Sequence, residues 1–234
     1  MLSIRGLHAG YGNIHVLRGV EFDVASGEIV TILGRNGSGR STTCKAAMGL
    51  IRPGAGAVRL NGVDLAGQDS HEIARAGIGY VPEERLIFTT LTVEENLIMG
   101  QKPPRNGAAT WTMDELYRLF PRLKERHNVR AGHLSGGEQQ MLTMSRTLLG
   151  NPSAILIDEP TEGLAPKIVD IVGESVLEMK RRGLAIVLLE QKLSMAMRVT
   201  DRVLVMGHGQ IVFSGSPGEF ESDTGIRRQW LEVA

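Results

Sequence analysis

Glu28 to Leu33, EIVTIL, is a short apolar run that enters the glycine-rich GRNGSG, and STTCKAAMGL after it carries helix-forming residues as far as Pro53. The pattern predicts strand, loop and helix, with the proline as the stop. Ala154 to Asp158 (AILID) and Leu184 to Glu190 (LAIVLLE) are nearly continuous apolar runs, as expected of parallel strands covered on both faces. Between them Pro166 opens and KRRG closes an amphipathic helix, which completes a β-α-β unit. AVRLNGVDL differs: Asn61-Gly62 separates two alternating segments, and both turn positions favour positive φ, so a hairpin and an antiparallel patch are predicted. From Phe88 to Asn151 the pattern is mainly helical, with capping-box spacing at Thr92/Glu95, Thr112/Glu115 and Ser135/Glu138. The expected architecture is one α/β domain over 1–234, a mostly parallel core sheet with an antiparallel β patch and a helical subdomain at about 88–151.

Composition narrows the class. The 234 residues suffice for one substantial core. Lysine plus arginine and aspartate plus glutamate both number 26, so no global charge draws the chain to nucleic acid or anionic lipid. A single cysteine, Cys44, excludes an intrachain disulfide and is expected to be a small buried packer, and the six histidines show no metal-ligand spacing. MLSIRGLHAGYG lacks the apolar core of a signal peptide, and the longest apolar run, Leu184 to Leu189, is far short of a membrane span. The expected location is cytosolic, with membrane contact only through another protein.

Three stretches carry chemistry. GRNGSGRST, Gly34 to Thr42, has the glycines and hydroxyl of a phosphate-binding loop, but Arg40 stands where the pattern expects lysine. Backbone N–H groups over Asn36, Gly37, Ser38 and Gly39, aided by the helix dipole, can cradle phosphate. Ser41 can place a hydroxyl on Mg²⁺ and Thr42 can donate to a phosphate oxygen. Arg40 keeps the charge in a wider, planar group. In ILIDEP, Asp158 at the end of a buried strand is placed to hold Mg²⁺ through water, and Glu159 to polarise an attacking water. Taken alone, these are equally two solvated acids. LSGGEQQ puts Ser135, Gly136 and Gly137 at a helix start, a second anion site or simply an N-capped helix.

In this order and spacing, the three motifs resemble the ATP-binding subunits of ABC transporters over nearly the whole chain. The resemblance implies a P-loop NTPase fold of ABC ATPase type, ATP and Mg²⁺ as cofactors, and head-to-tail dimers in which Ser135–Gly137 face nucleotide on the partner subunit. It places Tyr11 of GYG where an aromatic ring stacks on adenine, and GYVPEERLIFTTLTVEENL (79–97) beside the membrane partner. TEGLAP (161–166) falls at the D-loop and LLEQK (188–192) at the switch region. Glu83 replaces the Q-loop glutamine, joining Ser41 and Asp158 as a metal ligand, and Gln191 stands for histidine as a catalytic residue beside Glu159. YVPE, FPRLKER, LSGGEQQML, GLAP and EQ resemble one of two non-identical ATPase subunits of branched-chain amino acid importers, with urea and short-chain amide importers as near relatives. The implied partners are a second ATP-binding subunit (a homodimer when isolated is the alternative), two integral permease subunits and, indirectly, a periplasmic solute-binding protein. The implied place is the cytoplasmic face of the inner membrane.

Arg40, Glu83 and Gln191 all depart from the family pattern on this chain's own site, and none lies in the signature offered to a partner. A hydrolytic site slower than its partner's is expected, with a nucleotide-binding regulatory subunit as the rival. A soluble ABC ATPase acting on ribosomes or DNA would carry two cassettes or a long insertion.

Overall fold

The computed structural model describes residues 1–103 and 110–231. Part of the predicted helical stretch, 104–109, lies outside the described residues. In chain order the strands are β1 (Leu2–Tyr11), β2 (Ile14–Val24), β3 (Ile29–Leu33), β4 (Ala55–Leu60), β5 (Val63–Asp64), β6 (Ile78–Val81), β7 (Ala154–Asp158), β8 (Ala185–Leu189), β9 (Arg202–Gly207) and β10 (Gln210–Gly215). The helices are α1 (Arg40–Ala47), α2 (Ser70–Ala76), α3 (Val93–Gly100), α4 (Met113–Leu119), α5 (Pro121–Glu125), α6 (Gly136–Leu148), α7 (Pro166–Arg181), α8 (Leu193–Val199), α9 (Pro217–Ser222) and α10 (Thr224–Trp230).

Two sheets organise them. One is antiparallel, in the order β2-β1-β4-β5, and contains the predicted Asn61-Gly62 hairpin. The other runs β10-β9-β3-β8-β7-β6, parallel throughout except for β10 at its edge. Its central strands are buried on both faces, and their side chains alternate between two cores. Ala185, Val187 and Leu189 of β8 face a core shared with α1 and the antiparallel sheet, while Ile186 and Leu188 face a core shared with α7 and with α3 to α6. A strand covered on both faces has no polar face to alternate with, which is why the sequence of β8 runs apolar without a period. Cys44 is buried in the first core, as expected.

The first helix ends earlier than the proline stop suggests. Gly49 at φ +68 closes α1, where its N–H donates to Ala46 and the N–H of Leu50 to Lys45, the paired bonds of a Schellman motif. A glycine that can take the left-handed conformation stops the helix before Pro53 is reached. All three predicted capping boxes form, at Thr92, Thr112 and Ser135.

Arg182, at the end of α7, ties α4 and Trp111 to that helix. Its guanidinium lies 4.0 Å from the centre of the Trp111 ring and 3.0 Å from Glu115 on α4, and also pairs with Glu178. Burial alone would raise the Glu115 pKa, but Arg182 and the N–H and hydroxyl of Thr112 outweigh it and hold the carboxyl at about 2. The folded-state value is depressed, so this stabilisation is present above the ordinary carboxylate range and lost as pH falls towards 2. Arg182→Ala is therefore expected to lower the urea midpoint at pH 7, with the deficit narrowing between about pH 5 and pH 3. A deficit independent of pH would mean that the ring contact alone carries the effect.

Candidate nucleotide site

The loop between β3 and α1 is shaped by close packing behind it. A Cβ on Gly39, which has φ +110, would stand 3.0 Å from Leu17 and 3.3 Å from the Met206 sulfur, so only glycine lets the loop lie this close to the β9 side. On the open side, residues 35–42 line a cavity of about 260 Å³ together with Glu83, Glu159, Glu162 and Gln191. Ser38 Oγ is buried without a hydrogen-bond partner. An orphaned hydroxyl and a run of loop amides suit a ligand rich in acceptor oxygens.

Asp158 ends β7 at 1% exposure, accepting from Ser41 Oγ at 3.2 Å and from Tyr80 OH at 3.3 Å. Burial first, and then the charge of Glu159, raise its pKa, while its hydrogen bonds to Ser41 and Tyr80 and the charge of Arg40 lower it. A buried carboxylate beside a hydroxyl is a hard-oxygen pair of the kind Mg²⁺ takes. Of the three expected metal ligands, Ser41 and Asp158 meet directly. Glu83 lines the same cavity, but its carboxylate groups with Glu159 and Glu162, all within 4.8 Å of one another. The Ser41–Asp158 pair fits Mg²⁺ and would hold it, whereas Glu83 stands with the other two carboxylates.

Arg40 makes contacts that the sequence does not show. At 5% exposure its Nη2 donates to Glu159 Oε1 at 2.7 Å and to Asn36 Oδ1 at 3.4 Å, and its Nη1 to the Glu190 carbonyl at 3.4 Å. Gln191 Nε2 donates to the other carboxylate oxygen of Glu159 at 2.6 Å and to Asn36 at 3.2 Å. The two residues expected to serve phosphate and water thus clamp Glu159 from both sides. Glu159 itself is held at φ +46, an uncommon backbone conformation for a side-chain-bearing residue.

Glu190 and Tyr80 escaped the sequence reading. Glu190 is buried at the end of β8, accepting from Thr161 Oγ1 and from the N–H groups of Gln191 and Lys192, so it fixes the switch segment in place. The signal was available: like Asp158, it is an acid closing an apolar strand. Tyr11 sits at the end of β1, 51% exposed and outside the cavity lining. Ser135, Gly136 and Gly137 lie at the N-terminus of α6 and do not line their own chain's cavity.

The match to the ABC transporter family covers residues 17–162, and the chain belongs to that family. Fold and site together define an ABC-type ATPase. Over 231 residues it is 40% identical to the high-affinity branched-chain amino acid transport ATP-binding protein BraG of Pseudomonas aeruginosa, with 99% of each chain covered. It is also 32% identical over 234 residues to the lipopolysaccharide export system ATP-binding protein LptB of Haemophilus influenzae, covering 99% of this chain and 97% of that one. Among solved structures, the ADP conformation of MJ1267, an ATP-binding cassette of an ABC transporter, superposes with a TM-score of 0.81 at 26% identity over 97% of each chain.

The clamp sets charge against shape at Arg40. Lysine in its place keeps the cation but loses the two-nitrogen fork that reaches Glu159, Asn36 and the Glu190 carbonyl at once, so Glu159 is restrained by Gln191 alone and a compact ammonium is available to phosphate as a point charge. Arg40→Lys is expected to raise turnover at this site by a few-fold and at most about tenfold, or ~1.4 kcal/mol of barrier. A marked fall would show that Gln191 and Glu83 are built around arginine.

Proposed function

We propose that this chain is the ATP-hydrolysing subunit that powers an importer for branched-chain amino acids. The observation that carries the reading is the convergence on one cavity of the phosphate loop and Glu159, with Asp158 accepting from Ser41 of that loop. The higher identity to BraG than to LptB, together with the YVPE, GLAP and EQ motifs, favours amino acid import over lipid export.

In the proposed cycle, Tyr11 stacks on adenine, the amides of residues 36–39 hold the β- and γ-phosphates, and Thr42 donates to a phosphate oxygen. Ser41 and Asp158 would hold Mg²⁺, which would supply positive charge to the phosphates. The γ-phosphate competes with Glu159 for Arg40. Once Arg40 turns to phosphate, Glu159 Oε1 is free to accept a proton from water, while Gln191 orients that water by hydrogen bonding. Ser135–Gly137 serve nucleotide on a second ATP-binding subunit, non-identical in the assembled transporter. Two permease subunits dock from the membrane, and a solute-binding protein delivers solute on the far side.

A groove of about 400 Å³ lined by Met48, Tyr80, Phe88, Met99 and Arg146 lies beside the 79–97 segment and suits an apolar permease helix. No helix among the described residues is long and apolar enough to cross a membrane; the place that goes with the proposed role is peripheral, on the cytoplasmic face. The clamp on Glu159 also favours a second reading, a nucleotide-binding regulatory subunit with little hydrolysis. Isolating the assembled complex and screening its binding protein against branched-chain amino acids, urea and short-chain amides decides the solute. Selective binding of urea or amides would replace the amino acid assignment and leave the ATPase reading intact.

A further inference from the structure

Arg85 and Leu86 follow the Glu83 position with φ of +65 and +44, two successive side-chain-bearing residues in the left-handed region. Such a pair persists only where its surroundings hold it. Here α6 does so: Thr143 Oγ1 donates to the Arg85 carbonyl at 2.7 Å, and Arg146 Nη2 to the Leu86 carbonyl at 2.6 Å. The knuckle aims the Arg85 guanidinium at the start of the same helix. A Cβ added to Gly136 would stand 2.9 Å from Arg85 Nη1, so the guanidinium lies directly over this glycine. Its Nη2 donates to the carbonyl of Glu162 at 3.4 Å, and its Nε is buried without a partner.

From the segment that carries Glu83 to the nucleotide cavity, one side chain therefore touches two others: the helix start at Ser135–Gly137 and the turn after Glu159. We infer that Arg85 is a positioning residue that sets the Ser135–Gly137 helix start against the neighbouring turn for use by the partner's nucleotide. The inference rests on the head-to-tail ATPase reading. It assigns Arg85 no contact with this chain's own nucleotide, since Arg85 does not line that cavity. A cation at the start of α6 also opposes the helix dipole, an arrangement that gains when an anion arrives there.

The test uses mixed dimers of this chain assembled from two differently tagged copies, with one copy carrying Glu159→Gln so that only one site turns over. Arg85→Ala is placed either in the copy that lends its helix start to the active site or in the copy that owns that site. The first placement is expected to lower turnover by about tenfold or more, and the second by less than about twofold. Arg85→Lys, which keeps a donor for the Glu162 carbonyl, is expected to recover part of the loss and serves if the alanine chain fails to fold. Equal loss in both placements would reduce Arg85 to a general structural role and overturn the inference. Absence of turnover in the reference dimers, before any change at Arg85, would instead overturn the ATPase reading, and the inference with it.

Discussion

Glu159→Gln is expected to slow hydrolysis at this chain's site by about 10²–10⁴-fold, the usual worth of a positioned general base. The amide cannot accept the proton of the attacking water. ATP affinity should hold or rise, because the same change frees Arg40 from its carboxylate partner at 2.7 Å and leaves a buried guanidinium in search of an anion. Apo protein should lose thermal stability, and ATP should restore more of it than in the wild type. A thermal shift series with and without nucleotide reads this directly. Equal ATP-induced shifts in both proteins would mean that the Arg40–Glu159 pair does not oppose binding.

Ser135→Arg is expected to abolish closure over the partner's nucleotide while leaving ATP affinity at this chain's own loop unchanged. Ser135 caps α6 by accepting from the Glu138 N–H and donating to its carboxylate, and Gly136 beside it already lies under Arg85. A second guanidinium there removes the cap, blocks the helix N-terminus and repels the first. Uptake by the assembled transporter should fall by at least about 100-fold, the scale of losing one anion-stabilising donor. Nucleotide titration of the isolated chain supplies the other half of the test, since equal loss of affinity and uptake would contradict the head-to-tail arrangement.

Much of the fold was legible because its signals are local. Capping boxes at Thr92, Thr112 and Ser135 need only three-residue spacing, and AILID and LAIVLLE announce doubly covered strands by having no polar face. The β1–β2 hairpin went unread although Leu2, Ile4, Leu7, Leu17, Val20 and Val24 all enter the core. Register shifts between Ile4 and Leu7, between Leu7 and His8, and between Ala9 and Gly10 break the two-residue period that would have revealed the strands. β9, β10, α8, α9 and α10 are six or seven residues each, below the length at which periodicity separates helix from strand.

At the site, the sequence located the parts and missed their pairing. Ser41 with Asp158 followed from motif logic, since loop and strand end each point to a metal. Arg40 with Glu159 did not, because 119 residues separate them and opposite charges in a sequence do not say which will meet. That pairing turns a substitution in the loop into a restraint on the carboxylate proposed as the general base.

The most direct test of a working but self-restrained ATPase is single-turnover phosphate release from this chain's own site, in a dimer whose other site has its catalytic glutamate disabled. The account predicts that the wild-type chain releases phosphate from the ATP it binds and that Glu159→Gln releases it about 10²–10⁴-fold more slowly. Wild-type chain that binds ATP and retains it intact, with no phosphate released, would contradict the account and leave a nucleotide-binding regulatory subunit in its place.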